Sequence, residues 1–253
     1  MWTYRDSLTP NASLKTKTPL LIGWGIVALI LWQVFKPVVF PSPLEVVLAF
    51  PGLMSEGLLE EVLSSLFINT EALILSALIG LPICYLYRVP AASPVGQFLA
   101  KMRFVGPAVF FLPLVFLVSG GHSVKVWLLT LGQLFYLVTT MNGVVGNISE
   151  SKFDDARTLN MSEWLSVWYV VIRGTVAEAI DAIRDNAAIG WAMLMFVEGL
   201  VRSEGGIGVM IINMEKHVEW ASLWCLITIV VLVGILQDYL IGQVRKVACP
   251  YAT

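Results

Sequence analysis

Charge is what this sequence has least of. Asp, Glu, Lys and Arg make up 13% of its 253 residues, about half of the roughly 25% that a water-exposed globular domain carries. So few charged side chains cannot cover a soluble surface of this size, so the missing polar area has to face lipid. Basic excess is lacking too. Sixteen Lys and Arg oppose eighteen Asp and Glu, for a net charge of −2, which excludes the positive field that nucleic-acid binding needs. Cys84, Cys225 and Cys249 are far apart, the first two inside apolar runs. That spacing excludes a disulfide framework or a zinc site and fits buried bystanders. His122 and His217 make no HExxH or other metal spacing and read as ordinary surface residues. There is no G-x-x-x-x-G-K-S/T, so the chain has no P-loop for ATP, and no nucleophile and base stand at a credible catalytic spacing.

What is present is apolar length. Hydrophobic residues make up 57% of the chain, and they fall into six runs, at about 19–40, 68–87, 95–118, 124–145, 177–201 and 221–244. Each is long enough to cross a bilayer as a helix. The first is too long for a signal-peptide core and has no small-residue cleavage site, so it is expected to stay as an anchor. Trp24, Trp32, Trp127 and Trp224 suit the membrane interface. Pro107 and Pro113, with Gly106 beside the first, predict a kinked or broken third span.

Two amphipathic stretches separate the first two runs. Ser42 and Glu45 have capping-box spacing with Pro43 at the first helical position, and Leu44, Val47 and Leu48 then share a face. In 55–66, Leu58, Leu59, Val62, Leu63 and Leu66 fall on one side, opposite Glu60, Glu61, Ser64 and Ser65. The whole segment is expected to lie along the membrane surface. With six spans and the N-terminus inside, Arg5, Lys15, Lys17, Arg88, Lys101, Arg103, Lys152, Arg157, Arg173, Arg184, Arg245 and Lys246 fall on the cytoplasmic side. Lys36, Lys125, Arg202 and Lys216 fall outside. This three-to-one bias follows the positive-inside rule and places both termini, and the polar loop 146–175, in the cytoplasm.

That loop contains Phe153-Asp154-Asp155-Ala156-Arg157-Thr158-Leu159-Asn160-Met161-Ser162-Glu163-Trp164. A short helix should end at Leu159, with Asn160 as a left-handed cap. Ser162 should cap a second helix, with Glu163 in its first turn. A helix–turn–helix this small cannot fold alone, and docking to another protein is its natural use; the plainer reading of Asp154, Asp155 and Arg157 is a solvated face.

Asp154 to Asn160, followed by Trp164 and Val170-Val171-Ile172, resembles the EAA loop of ABC importer permeases. The family pattern has alanine where Asp155 stands, glycine where Asn160 stands and proline where Arg173 stands. The likeness runs over nearly the whole chain after Phe40. Pro41-Ser42-Pro43, Gly80-Leu81-Pro82, Leu112-Pro113-Leu114, Arg184 with Trp191, and Glu198 before Gly205-Gly206-Ile207-Gly208 resemble the nitrate/sulfonate/taurine/bicarbonate group.

The resemblance implies an all-α integral membrane protein of type I permease fold, with about six spans, an interfacial segment and a cytoplasmic coupling helix. It divides the chain into a cytoplasmic N-terminal segment (1–18), a permease domain (19–246, coupling loop 146–175) and a cytoplasmic tail (247–253). It implies a non-catalytic subunit of the bacterial inner membrane, paired with a second permease copy. Its further partners are a cytoplasmic ABC ATPase dimer, which carries ATP and Mg, and an external solute-binding protein; the chain itself holds no cofactor. Asp154, Asp155, Ala156, Arg157, Thr158, Leu159, Asn160 and Trp164 would dock the ATPase. Pro107, Phe111, Pro113, Arg184, Trp191 and Glu198 are candidates for the translocation path.

The expected cargo is a small oxyanion or sulfonate: nitrate, bicarbonate, taurine or an alkanesulfonate. A thiamine precursor or a riboflavin-like nutrient is the alternative, and a stand-alone channel or enzyme or a non-transporting scaffold are the rival functions. An intramembrane carboxylate such as Glu198 is costly and should face the bundle interior, a partner or water. Hydrogen bonding to the outer loop suits it better than contact with an anion. Glu178, Asp181, Arg184 and Asp185 have spacings that favour local pairing within one helix. Asn69, Thr70 and Glu71 are expected at the outer mouth of the second span, where the sequence offers no reason for Glu71.

Overall fold

The computed structural model describes residues 14–34 and 40–250. Arg5, Lys36, the first part of the N-terminal segment and the last three residues of the tail lie outside the described residues. The described chain is almost entirely helical, with short turns between helices and no strand among the described residues. Helix α1 (Leu14–Val34) is followed by α2 (Pro43–Ser55). Ser42 caps α2 as expected: its Oγ accepts from Glu45 N at 3.3 Å, and the Glu45 carboxylate accepts from Ser42 N at 2.9 Å. Trp32 Nε1 donates to Pro41 O at 3.0 Å, and the Trp32 and Phe40 rings both pack on Trp224. These contacts tie α1 and the entry to α2 against the last helix, α11 (Trp220–Ala248).

The second amphipathic stretch does not lie on the surface. A left-handed Gly57 turns the chain, and one unbroken helix, α3 (Leu58–Tyr85), carries it across. Leu58 and Ser65 are buried, whereas Leu59 and Leu63 are exposed. Much of the polar face points inward because Glu61 and Ser65 find hydrogen-bond partners there. Lipid accepts the leucines; it cannot solvate a carboxylate.

The third span is broken. Ser93–Phe104, which contains α4 (Ser93–Lys101), and Pro107–Leu117, which contains α5 (Phe111–Leu117), are bent by 104°. Gly106, immediately before Pro107, is extended at φ −63° and ψ 151°, as the proline ring demands of its predecessor. Pro113 sits in the first turn of α5, where its missing N–H costs nothing. Helix α6 (Gly121–Gly146) is the centre of the bundle. Of its most apolar stretch 67% is buried, against 39% for the span built on α3 and 11% for α11. Helices α3, α4, α5 and α9 (Val176–Leu200) pack around α6, and α11 packs on the outside against α9 and α2.

Past α6 come α7 (Glu150–Thr158), α8 (Glu163–Ser166), α9 (Val176–Leu200) and α10 (Ile207–His217). Among the described residues three helices are long and apolar enough to cross a membrane, and the bent pair can make a fourth. The expected fifth span coincides with α9, and the expected first overlaps α1, which already begins at Leu14, while 35–39 lie outside the described residues. By the same measure α1 is apolar only over Ile22–Val34, and α9, though 25 residues long, carries Glu178, Asp181, Arg184, Asp185 and Glu198. The fold is all-α and membrane-embedded. All three cysteines are buried, with no disulfide between them.

Candidate functional site

At one end of the bundle the loop after α6 folds as its sequence predicts. Asn160 has φ 51°. Its N–H bonds Arg157 O, and that of Met161 bonds Ala156 O, closing the paired 5→2 and 6→1 bonds of a Schellman turn. Ser162 Oγ then accepts from Leu165 N to cap α8. The chain re-enters α9 through a π-helical turn (Val167–Ile172) and a 3-10 turn (Arg173–Thr175). Arg173, in the position where the resembled family has proline, lays its guanidinium over the Tyr169 ring.

Ala156 is buried and roots α7, whereas Asp154, Asp155, Arg157, Thr158, Leu159, Asn160 and Trp164 are exposed. Arg157 pairs with Asp154 at 2.6 Å. Leu159 and Trp164 are 68% and 69% exposed, and Trp168 is exposed beside them. Exposed apolar side chains of this size on a short polar element suit contact with a protein partner or a membrane surface.

The six path candidates fall into two groups. Pro107 and Phe111 are half-buried and Pro113 exposed on the broken span; Phe111 lines a cavity of about 380 Å³ with Val124, Leu200, Val201 and Arg202. Arg184, Trp191 and Glu198 are seven residues apart on α9 and therefore share a face. Each is bonded within the chain. Arg184 makes a two-pronged ion pair with Asp238 of α11, and Asp181 pairs with Arg245 of α11 at 2.8 Å. The local pairing expected along α9 is thus replaced by pairing across to α11.

Trp191 belongs to a chain of amides inside the bundle. Ser76 Oγ donates to Leu73 O at 2.9 Å and lies 3.5 Å from Gln133 Oε1, and Gln133 Nε2 donates to Asn69 Oδ1 at 2.9 Å. Asn69 Nδ2 donates to Gln237 Oε1 at 3.2 Å, and Trp191 Nε1 to the same oxygen at 2.6 Å. The chain joins α3, α6, α9 and α11. Asn69 is accordingly buried in the bundle rather than at its mouth. Gly190 faces this chain, and a methyl group there would overlap the Gln133 and Asn69 amides. Glu71 does find a partner, His122, at 3.1 Å.

At the end of the bundle opposite α7, Glu198 is fully buried. Its carboxylate accepts from Ser65 Oγ at 2.6 Å and from Gly208 N at 2.7 Å. Ser65 Oγ accepts from Ile207 N at 2.9 Å, and Glu61 from Gly206 N. Lys125, also fully buried, donates to Gly205 O at 2.6 Å. Side chains from α3, α6 and α9 thus clasp the backbone that enters α10. Gly205 and Gly206 have φ 66° and 108°, values that disfavour any side chain. The amides at the start of α10 meet two carboxylates, the arrangement a helix N-terminus favours.

Sequence reasoning missed Lys125, Glu61, Gln133, Gln237 and Asp238 as partners, and it registered Arg88 only as a positive charge. Polar residues inside apolar runs were the available signal for Gln133, Gln237 and Lys125.

No family model matches the chain. It is similar to the taurine transport system permease protein TauC of Escherichia coli (strain K12), 22% identical over 258 residues, covering 99% of this chain and 93% of the relative. It is also similar to the putative aliphatic sulfonates transport permease protein SsuC of Bacillus subtilis (strain 168), 27% identical over 238 residues, covering 90% and 84%. Among solved structures, the MetNI methionine ABC transporter in inward-facing conformations matches with a TM-score of 0.54 and 14% identity, over 75% of this chain and 95% of that one.

Proposed function

We propose that this chain, an ABC importer permease by its fold and by the relatives it matches, forms half of a membrane pathway for a small sulfonate of the taurine or alkanesulfonate class. The names of both relatives favour a sulfonate over nitrate, bicarbonate or a thiamine-precursor or riboflavin-like nutrient. A second copy supplies the other half. An external binding protein delivers the solute, and a pair of cytoplasmic ATPases holds ATP and Mg. In this reading residues 19–246 form the permease domain of a bacterial inner-membrane protein, and 1–18 and 247–253 lie on the ATPase side.

The observation that carries the reading is the exposed face of α7 and α8. Leu159, Trp164 and Trp168 stand free beside Asp155 and Arg157 on a capped turn that leads without interruption into α9. An ATPase gripping this face would push on the end of α9. Helix α9 is bonded to α11 through Arg184 and Trp191 and to the clasp at the far end through Glu198. Displacement of the loop would therefore move α9, α11 and the entry to α10 together. Glu198 acts here as a clasp that excludes water and fixes a loop, while Pro107, Phe111 and Pro113 line the path on the broken span.

The test is ATP hydrolysis and solute uptake in proteoliposomes holding this chain with its ATPase and binding protein. Taurine, alkanesulfonates, nitrate and bicarbonate are each offered. Stimulation by a sulfonate, lost on deleting 154–160, is the expected result. Hydrolysis indifferent to every solute and to the deletion would overturn the reading.

A further inference from the structure

Arg88 ends the span that begins at Leu58, far in sequence from the loop after α6, yet it holds that loop by four hydrogen bonds. Its Nε donates to Val145 O at 3.1 Å and its Nη2 to Gly146 O at 2.9 Å and Ile148 O at 2.7 Å. Its Nη1 pairs with the Glu150 carboxylate at 3.0 Å, and the guanidinium lies over the Phe153 ring at 5.4 Å. One side chain from the end of α3 thus grips the last turn of α6, the connector and the first turn of α7.

The partners suit the group. The last carbonyls of α6 have no N–H above them within the helix and form the negative end of its dipole. A guanidinium presents five N–H donors in a rigid planar fork, so it can fix three carbonyls and a carboxylate in one orientation. A lysine ammonium, a point charge, cannot reach the same spread. Apolar packing of Ile148, Phe153 and Val167 also seats the loop on the core. That force is non-directional, however, and tolerates sliding. Beginning at Arg88 and Phe153, a cleft of about 290 Å³ also lined by Val89, Pro90, Met161 and Glu163 opens between the end of the α3 span and the rest of the loop. The fork is therefore the contact that sets the loop's direction relative to α3 and α6.

We infer that Arg88 is a positioning residue for energy coupling: it locks α7 to the ends of α3 and α6, so that a push on the loop moves those helices together with α9. The inference rests on the transport reading. Covalent continuity through α8 gives the loop an unbroken helical route into α9, whereas toward α6 it runs only through the non-helical connector 147–149. Arg88 supplies the second route, into the helices that carry the amide chain and the clasp.

The experiment uses the assembled transporter in proteoliposomes, with the parent chain, Arg88→Gln, Arg88→Lys and Glu150→Gln. It measures taurine uptake per ATP hydrolysed, together with amide exchange of 147–158 in the full chain in detergent. Arg88→Gln should exchange faster in 147–158 while still copurifying with the ATPase, and uptake per ATP should fall about tenfold, within the usual range of coupling between sites. Arg88→Lys should recover part of the loss, and Glu150→Gln, which removes the charge of one of the four partners at an exposed position, should show a smaller one. Unchanged exchange, or normal uptake per ATP in Arg88→Gln, overturns the inference and leaves the transport reading standing. Should Arg88→Gln not assemble, Glu150→Gln and Arg88→Lys decide it, and parental coupling in both overturns it. A parent complex without solute-driven uptake overturns the transport reading itself, and the coupling role falls with it.

Discussion

Replacing Gln237 by leucine tests whether α11 is tied to the bundle by the amide chain. Gln237 Oε1 is the acceptor for two buried donors, Trp191 Nε1 at 2.6 Å and Asn69 Nδ2 at 3.2 Å. Leucine matches the glutamine stem in size but leaves both donors without that acceptor. Interhelical hydrogen bonds in membranes contribute on average about 0.6 and at most about 1.7 kcal/mol each, so losing two should cost roughly 1–3 kcal/mol. Apolar packing offers little to replace them, because only 11% of the most apolar stretch of α11 is buried in the chain. The assay is reversible unfolding by dodecyl sulfate in mixed micelles, run as a double-mutant cycle with Trp191→Phe. The phenylalanine removes the indole donor, and the cycle cancels its loss of packing. A coupling of about 0.6–1.7 kcal/mol between the two positions is expected from the same range. Additivity to within roughly 0.3–0.5 kcal/mol, the behaviour of independent sites, would refute the reasoning.

Gly190→Ala forces a methyl group against the Gln133 and Asn69 amides and should destabilise by about 1–3 kcal/mol in the same unfolding assay. At Asn160, with φ 51°, glycine should leave stability equal or slightly higher, whereas valine should cost about 1–2 kcal/mol; amide exchange of 154–162 reports the difference. Leu159→Asp together with Trp164→Ser should abolish copurification of the ATPase without changing unfolding by more than about 0.5 kcal/mol, because both side chains are exposed.

Much of the local structure was legible in the sequence because its causes lie within a turn or two of the residue concerned. The Ser42 box, the left-handed Asn160, the Ser162 cap and the break at Gly106-Pro107 all depend on which backbone groups a nearby side chain can reach or a ring forbids. Composition alone placed the chain in lipid, because 13% charged residues cannot wet a surface.

The sidedness of each helix was not legible. In water an apolar stripe marks the buried face, but lipid is as apolar as a protein core, so hydropathy cannot say which face turns inward. That is why Glu61 and Ser65 point into the bundle while Leu59 and Leu63 face out. Partners were hidden for the same reason. Asp238 lies 54 residues from Arg184, Gln237 lies 168 from Asn69, and Val145 lies 57 from Arg88. The sequence by itself determined a helical membrane protein with a capped polar loop after residue 146. Which polar groups meet across the helices was decided only by tertiary packing, because a buried donor or charge must find an acceptor wherever the bundle places one.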